Sequence, residues 1–170
     1  MPVGEVDQSL LTELAKQLKE VFEHTCQVGQ ALPYPWSAYD PGRDQYRAQM
    51  VLDVIGGLRF IPAERLLGVV DLDLYTPRLN FLFGLATMGG REAVIALPRP
   101  RQSFYSLPED PALFRQRALK EAVHELGHTY GLRHCPDLYC VMYFSNSLPD
   151  TDQKSHRFCP RCAGPLKSTA

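Results

Sequence analysis

The stretch HELGHTYGLRHC occupies residues 124–135 and governs both the local structure and the chemistry expected of this chain. His124 and His128 are four positions apart, so a helix would place their imidazole rings one above the other on the same face. Two rings in that arrangement can bind one Zn²⁺ ion. Glu125 lies about 100° around the same helix and can reach a water molecule on that ion without displacing it.

The residues that follow supply a third candidate ligand. Gly131 can enter the left-handed conformation that ends a helix in a sharp turn, and His134 can then approach the ion from another direction. Three neutral nitrogens with one open position are typical of a hydrolytic zinc site rather than a closed structural one. Two histidines at this spacing also occur as solvated helix residues or as core residues, but the added Gly131 and His134 favour a metal site.

Four of the five cysteines form two pairs in the C-terminal part of the chain. They are Cys135, Cys140, Cys159 and Cys162. The last two form a Cys-x-x-Cys pair, which is a frequent half of a four-cysteine zinc site. The alternatives are two disulfides or free thiols. Because a chain without an export signal is expected in a reducing compartment, where disulfides are disfavoured, the sequence favours a second, structural Zn²⁺.

Length and charge narrow the class of protein. At 170 residues the chain is expected to form a single domain. Its formal net charge of −1 gives no reason to expect binding to nucleic acid or to an anionic membrane. The N-terminus lacks the pattern of a signal peptide, and no run approaches the ~20 apolar residues of a membrane span. We therefore expect a cytoplasmic protein that binds neither nucleic acid nor membranes.

Two helices have clear beginnings in the sequence. Asp7 or Ser9 can cap a first helix, whose leucines follow the spacing of one helical face. Asp110 and Pro111 have the residue types expected at the first positions of the helix that carries the HELGH motif. On that helix the histidines fall opposite the apolar arc, and Glu121 on the same side is expected to be solvated. Short apolar runs between the two helices predict strands.

The C-terminal third resembles a known family of metallopeptidases. The pattern HExxHxxGxxH is similar to that of the metzincin clan, and a cysteine directly after His134, the Cys140-x-Met142 sequence and the Cys159-x-x-Cys162 pair resemble the archaemetzincins in particular. The resemblance implies that Met142 lies in a tight turn beneath the metal, where it forms an apolar floor. It points to the four-cysteine zinc site as well.

The resemblance also carries expectations about the fold. It implies an α+β, metzincin-like architecture, in which a twisted mixed sheet of about four or five strands has backing helices and an active-site helix. A small C-terminal lobe would hold the Met-turn and the four-cysteine zinc. The single catalytic domain, residues 1–170, is thus expected to divide into an upper lobe of residues 1–131 and a C-terminal lobe of residues 132–170.

Metzincins place the edge strand of their sheet just upstream of the zinc helix, and an apolar run ended by Pro98 lies there. An unpaired edge is a template for an extended peptide, through main-chain hydrogen bonds. We therefore expect this run to be the edge strand that docks the substrate. Its residues are Ala93, Val94, Ile95, Ala96 and Leu97.

The expected function is zinc-dependent hydrolysis of peptide bonds, with two Zn²⁺ per chain, one catalytic and one structural. Glu125 would act as the general base on a zinc-bound water, and the substrate would be a peptide or protein. The main alternative is a catalytically silent scaffold or interaction module with only the structural zinc. A zinc-ribbon nucleic-acid binder is disfavoured by the near-neutral charge. Endo- or aminopeptidase action, side-chain preference and oligomeric state are left open by the sequence.

Overall fold

A computed structural model describes residues 1–167. Five α-helices and eight strands lie in this part of the chain. The helices are α1 Gln8–Phe22, α2 Ala48–Gly56, α3 Pro111–Thr129, α4 Leu148–Gln153 and α5 Pro160–Lys167. The strands are β1 Pro2–Val3, β2 Tyr39–Asp40, β3 Gln45–Arg47, β4 Leu66–Val70, β5 Leu74–Thr76, β6 Leu79–Leu82, β7 Gly84–Ala86 and β8 Glu92–Ala96.

The strands form two four-stranded mixed sheets. The first has the order β1-β4-β8-β7, in which β7 alone runs antiparallel to its neighbour. The second has the order β2-β3-β5-β6. The predicted α+β class and mixed sheet are confirmed. The second sheet was not predicted, since its strands are only two to four residues long.

The first sheet is the middle layer of the molecule. Successive strand residues face opposite sides, so that Ile95 and Val94 of β8 enter different cores. The side of Ile95 packs against α1 and α3, whose core residues include Leu14 and Val123. The side of Val94 packs against α2, whose buried residues include Ile55, and against the second sheet. The HELGH motif is therefore carried by a helix held directly against the sheet.

Helix α3 begins and ends as predicted. Asp110 accepts a hydrogen bond from the Leu113 N–H at 2.9 Å, and Pro111 occupies the first turn. At the other end Gly131 has a φ of 83°, in the left-handed region that costs glycine little. Its N–H donates to the His128 carbonyl at 2.9 Å. This turn reverses the chain and directs residues 132–135 back towards the end of the helix.

The expected edge strand is not at an edge. The run Ala93 to Leu97 was predicted as the edge that docks the substrate, but β8 pairs with β4 on one side and with β7 on the other. Both rows of its backbone groups are used, so an extended peptide has none to pair with. The edge strand that contacts α3 is β7 instead. The sequence prediction of a strand was right and its position in the sheet was wrong.

Two further predictions concern a membrane-spanning helix and the division of the chain into two lobes. Among residues 1–167, no helix has both the length and the apolar character needed to cross a membrane. The division into lobes at residues 131 and 132 stays a prediction.

Candidate active site

Three imidazole rings converge at the C-terminal end of α3. The Nε2 atoms of His124 and His128 lie 3.1 Å apart, and the candidate ligand atoms of these two residues and His134 all lie within 4.8 Å of one another. His124 and His128 are buried, whereas His134, which follows the turn, is exposed. The three rings that the sequence singled out are thus brought together, with one of them at the solvent boundary.

Backbone carbonyls orient two of the rings. His124 Nδ1 lies 2.7 Å from the Val141 carbonyl oxygen, and His128 Nδ1 lies 2.7 Å from that of Leu132. Because a carbonyl oxygen only accepts, each Nδ1 must carry the hydrogen, which leaves the Nε2 lone pair of each ring free. This is the second contact that metal-binding histidines usually make, and it fixes both the tautomer and the ring plane.

The protonation states suit a metal. Burial, reinforced by the positive charge of Lys154, lowers the pKa of His124 well below its ordinary value. Burial also lowers the pKa of His128, and partial desolvation at the solvent boundary lowers the pKa of His134. Neutral imidazoles are the form that binds metal ions. Three neutral nitrogen donors at these separations fit Zn²⁺, which prefers nitrogen and sulfur ligands.

Glu125 lies in the same cleft as the three rings. The cleft has a volume of about 530 Å³. Burial raises the pKa of Glu125 well above its ordinary value, and the negative charge of Glu121 adds to that effect. A carboxyl group with a raised pKa has a greater affinity for protons than a solvated carboxylate, which is the property required of a general base.

The walls of the cleft come from both sheets and from the chain that follows Met142. Strands β6 and β7 form one wall, and residues 144–146 belong to the other. The apolar side chains along the cleft include Leu79, Phe81, Phe83, Leu85, Met88 and Phe144. Besides the histidines, the ionisable residues along the cleft are Arg78, Glu121 and Glu125, so most of its lining is uncharged.

Met142 lies against the zinc helix. Its side chain is fully buried, and a Cβ built on Gly127 would lie 2.5 Å from its Sδ atom. Gly127, inside the HELGH motif, is therefore needed to seat this methionine. The Met142 carbonyl accepts a hydrogen bond from the Cys135 N–H at 2.9 Å. Met142 thus makes the expected apolar contact beneath the histidines by packing against α3, the helix that carries His124 and His128.

The four predicted cysteines also converge. Their Sγ atoms lie within 4.8 Å of one another, and those of Cys135 and Cys159 are 3.8 Å apart. None of the cysteines in residues 1–167 forms a disulfide. Burial opposes ionisation of Cys159, but hydrogen bonds from the Cys162 backbone and from neighbouring thiols lower its pKa to about 7. Four sulfurs in one cluster, one of them readily ionised, fit a closed Zn²⁺ site.

Glu121 is not the solvated residue that the sequence suggested. It is 4% exposed, and its Oε1 atom lies 3.1 Å both from Lys154 Nζ and from the Thr151 hydroxyl. The helix pattern correctly places it opposite the apolar arc. The missing information is that α4, which comes later in the chain, covers that face.

An α+β chain whose active-site helix presents two histidines, a third histidine after a glycine turn and a glutamate in one cleft is a zinc metallopeptidase. Comparison with known proteins identifies the family. Residues 37–168 match the model of peptidase family M54. An archaemetzincin from Pyrococcus abyssi is 43% identical, over 98% of this chain and 92% of that protein.

Solved structures agree. The crystal structure of archaemetzincin from Methanopyrus kandleri superposes with a TM-score of 0.82 at 37% identity, covering 99% of this chain and 94% of that one. A zinc-dependent peptidase from Methanocorpusculum labreanum gives a TM-score of 0.88 at 29% identity, with 97% of each chain covered. The chain belongs to peptidase family M54, the archaemetzincins.

Proposed function

We propose that this chain hydrolyses peptide bonds with a zinc ion held by His124, His128 and His134. The observation that carries the proposal is the convergence of three imidazole rings beside Glu125, in a cleft bordered by the edge strand β7. Zinc bound there would supply a Lewis acid that polarises the scissile carbonyl and lowers the pKa of water towards ~7.

Glu125 is the proposed general base. Its carboxylate would take a proton from the attacking water and pass it to the leaving amine as the peptide bond breaks. Glu125 directly follows His124 in the chain, so its carboxylate lies near the proposed metal ligands without being one of them. The backbone contacts to Val141 and Leu132 orient the rings of His124 and His128, which are two of the three proposed ligands.

A second zinc ion is proposed for the cluster of Cys135, Cys140, Cys159 and Cys162. It would be structural, because four thiolates complete a tetrahedral site and leave no position for water. The proposed stoichiometry is therefore two Zn²⁺ per chain.

The substrate is proposed to be an extended peptide that pairs with β7. Ala96 N–H donates to the Phe83 carbonyl and Thr87 N–H donates to the Glu92 carbonyl. In an antiparallel pair the backbone groups of successive residues point alternately inward and outward. Residues 83, 85 and 87 therefore face β8, and Gly84 and Ala86 direct their N–H and C=O groups to the open edge. The docking edge is therefore proposed to be these N–H and C=O groups of Gly84 and Ala86, and not the run from Ala93 to Leu97.

The test is a digest of a peptide library by zinc-loaded protein and by its Glu125→Gln variant. We expect the variant to bind zinc as the wild type does and to lose at least about 100-fold in kcat, since general-base catalysis contributes 10²–10⁴-fold. A Glu20→Gln variant, changed on the exposed face of α1, is the matched control. Equal turnover by wild type and Glu125→Gln would remove Glu125 from the mechanism, and a zinc-loaded wild type that cleaves no peptide would favour a silent scaffold.

A further inference from the structure

Gly84 lies at the point where β7 meets the glutamate of the HELGH motif. A Cβ built on Gly84 would lie 2.5 Å from Glu125 Cγ and 2.8 Å from Glu125 Oε1. Real Cβ atoms essentially never lie within 3.0 Å of such a neighbour, so one of the two groups would have to shift. The Glu125 side chain therefore occupies the space that a side chain at position 84 would fill, and no larger residue fits there unless Glu125 moves.

The backbone at this position does not itself require glycine. The glycines with positive φ in residues 1–167 are Gly4, Gly89 and Gly131, and Gly84 is not among them. Any residue can adopt its backbone conformation. A glycine inside a strand loses packing and conformational entropy, and it commonly marks a place where another group approaches closely. The approaching group here is the side chain of Glu125.

We propose that Gly84 is a positioning residue that sets the place of the Glu125 carboxylate. This inference rests on the proposed function, in which Glu125 is the base. The missing side chain opens a slot on one face of β7, and Glu125, 6% exposed, lies in it. The same residue directs its backbone groups to the free edge of the strand. The carboxylate is thus held next to the backbone on which a peptide substrate would pair.

One other contact offers a competing explanation. The Cβ on Gly84 would also lie 2.8 Å from the Val94 carbonyl oxygen on the neighbouring strand. If this contact alone required glycine, Gly84 would be needed for the close approach of β7 to β8 and would not affect the position of Glu125. The two explanations differ in one respect: shortening Glu125 relieves the first clash and leaves the second unchanged.

The experiment is a double-mutant cycle of Gly84→Ala and Glu125→Ala. Gly29→Ala is the control, because its Cβ would make only an ordinary contact of 3.5 Å with Met1. Two quantities are measured in all variants: the melting temperature of the metal-free protein, and the affinity of the zinc-loaded protein for acetohydroxamate, a zinc chelator whose hydroxyl proton a neighbouring carboxylate can accept. Peptide turnover and zinc content are followed alongside.

We expect Gly84→Ala to keep its zinc and to lose about 100-fold in kcat, as displacement of a catalytic group by about 1 Å does. Its acetohydroxamate affinity should fall about tenfold, the effect of one lost charge-assisted hydrogen bond. In the Glu125→Ala background the same substitution should change that affinity less than about twofold, and the drop in melting temperature should be smaller than in the wild type.

Equal losses of affinity and melting temperature in the two backgrounds would overturn the proposal and assign Gly84 to the Val94 contact. Failure of the proposed function would give a different set of results from failure of the Gly84 proposal. If the zinc-loaded wild type cleaves no peptide, hydrolysis is disproved, while the melting temperatures and acetohydroxamate affinities still decide whether Gly84 positions Glu125.

Discussion

Lys154 is a fully buried lysine whose Nζ atom lies 3.1 Å from Glu121 Oε1. Within residues 1–167 its Nζ has this ion pair and no hydrogen bond. A buried ion pair adds little net stability, because removing two charges from water offsets their attraction, but a single buried charge is strongly unfavourable. Single and double substitutions of this pair should therefore differ sharply in their effect on the free energy of unfolding.

Replacing Lys154 with Met should leave Glu121 buried without a positive partner, although it still accepts the hydrogen bond from the Thr151 hydroxyl. We expect Lys154→Met to lower the free energy of unfolding by about 3–5 kcal/mol, measured by urea denaturation of the metal-free protein at pH 7. The double variant Glu121→Gln/Lys154→Met removes both charges and should regain most of that loss. A double variant as unstable as the single one would show that the lysine acts through packing and not through its charge.

The strands illustrate what periodicity can predict. The apolar run at Ala93 to Leu97 is a strand, and its continuous apolar character, without alternation, is typical of a strand covered on both faces. Its place between β4 and β7 depends on how distant segments pair, and the spacing of apolar residues within the run contains nothing about that. The helix starts at Asp7 and Asp110 were predictable, because capping is local chemistry.

Strand β7 carries a prediction about substrate docking. Ala86 directs its N–H to the open edge, and proline is tolerated on edge strands where that group faces away from the sheet. We expect Ala86→Pro to keep the fold and zinc content and to raise KM about tenfold, the effect of one lost hydrogen bond to the peptide. The backbone N–H of Leu85 points towards β8, so Leu85→Pro would remove a hydrogen bond of the sheet and should lower the melting temperature strongly. An unchanged KM in folded Ala86→Pro would exclude pairing at this position.

Helix α4 is bound to α3, although nothing in its sequence shows where it packs. Arg117 on α3 makes two hydrogen bonds to the Asp152 carboxylate, at 2.7 and 2.6 Å. Lys120 Nζ donates to the carbonyls of Thr151 and Asp152 at 3.0 and 2.9 Å. These contacts explain why charged residues on the zinc helix are buried: they bind a segment that follows them in the chain.

At the scale of the whole molecule, the cysteine cluster and the histidines share backbone. The Cys135 N–H donates to the Met142 carbonyl, and Val141 donates its N–H to the Arg157 carbonyl while its own carbonyl orients His124. The motif spacing HExxHxxGxxH and the cysteine pairs were enough to predict both clusters, because the ligands of each are few and chemically distinctive. The shared backbone between them was visible only in three dimensions.

This continuity predicts that the two clusters are coupled. Cys162→Ser should loosen the segment that carries Val141 and His134, so the zinc affinity of the histidine site should fall about 10–100-fold, as it does when a group that orients a metal ligand is lost. Chelator competition measures it. Cys26→Ser, outside both clusters, is the control. A histidine site with unchanged zinc affinity in Cys162→Ser would rule out the coupling.

The central claim is that three imidazoles bind one ion beside Glu125 while the cysteines bind another. Anomalous diffraction at the zinc absorption edge, from crystals of zinc-loaded protein, tests it most directly. We expect two zinc peaks per chain, one among His124, His128 and His134 with a water or substrate position open, and one among the four cysteines. A peak at the cysteines alone, with His134 turned away from the other two rings, would contradict the account.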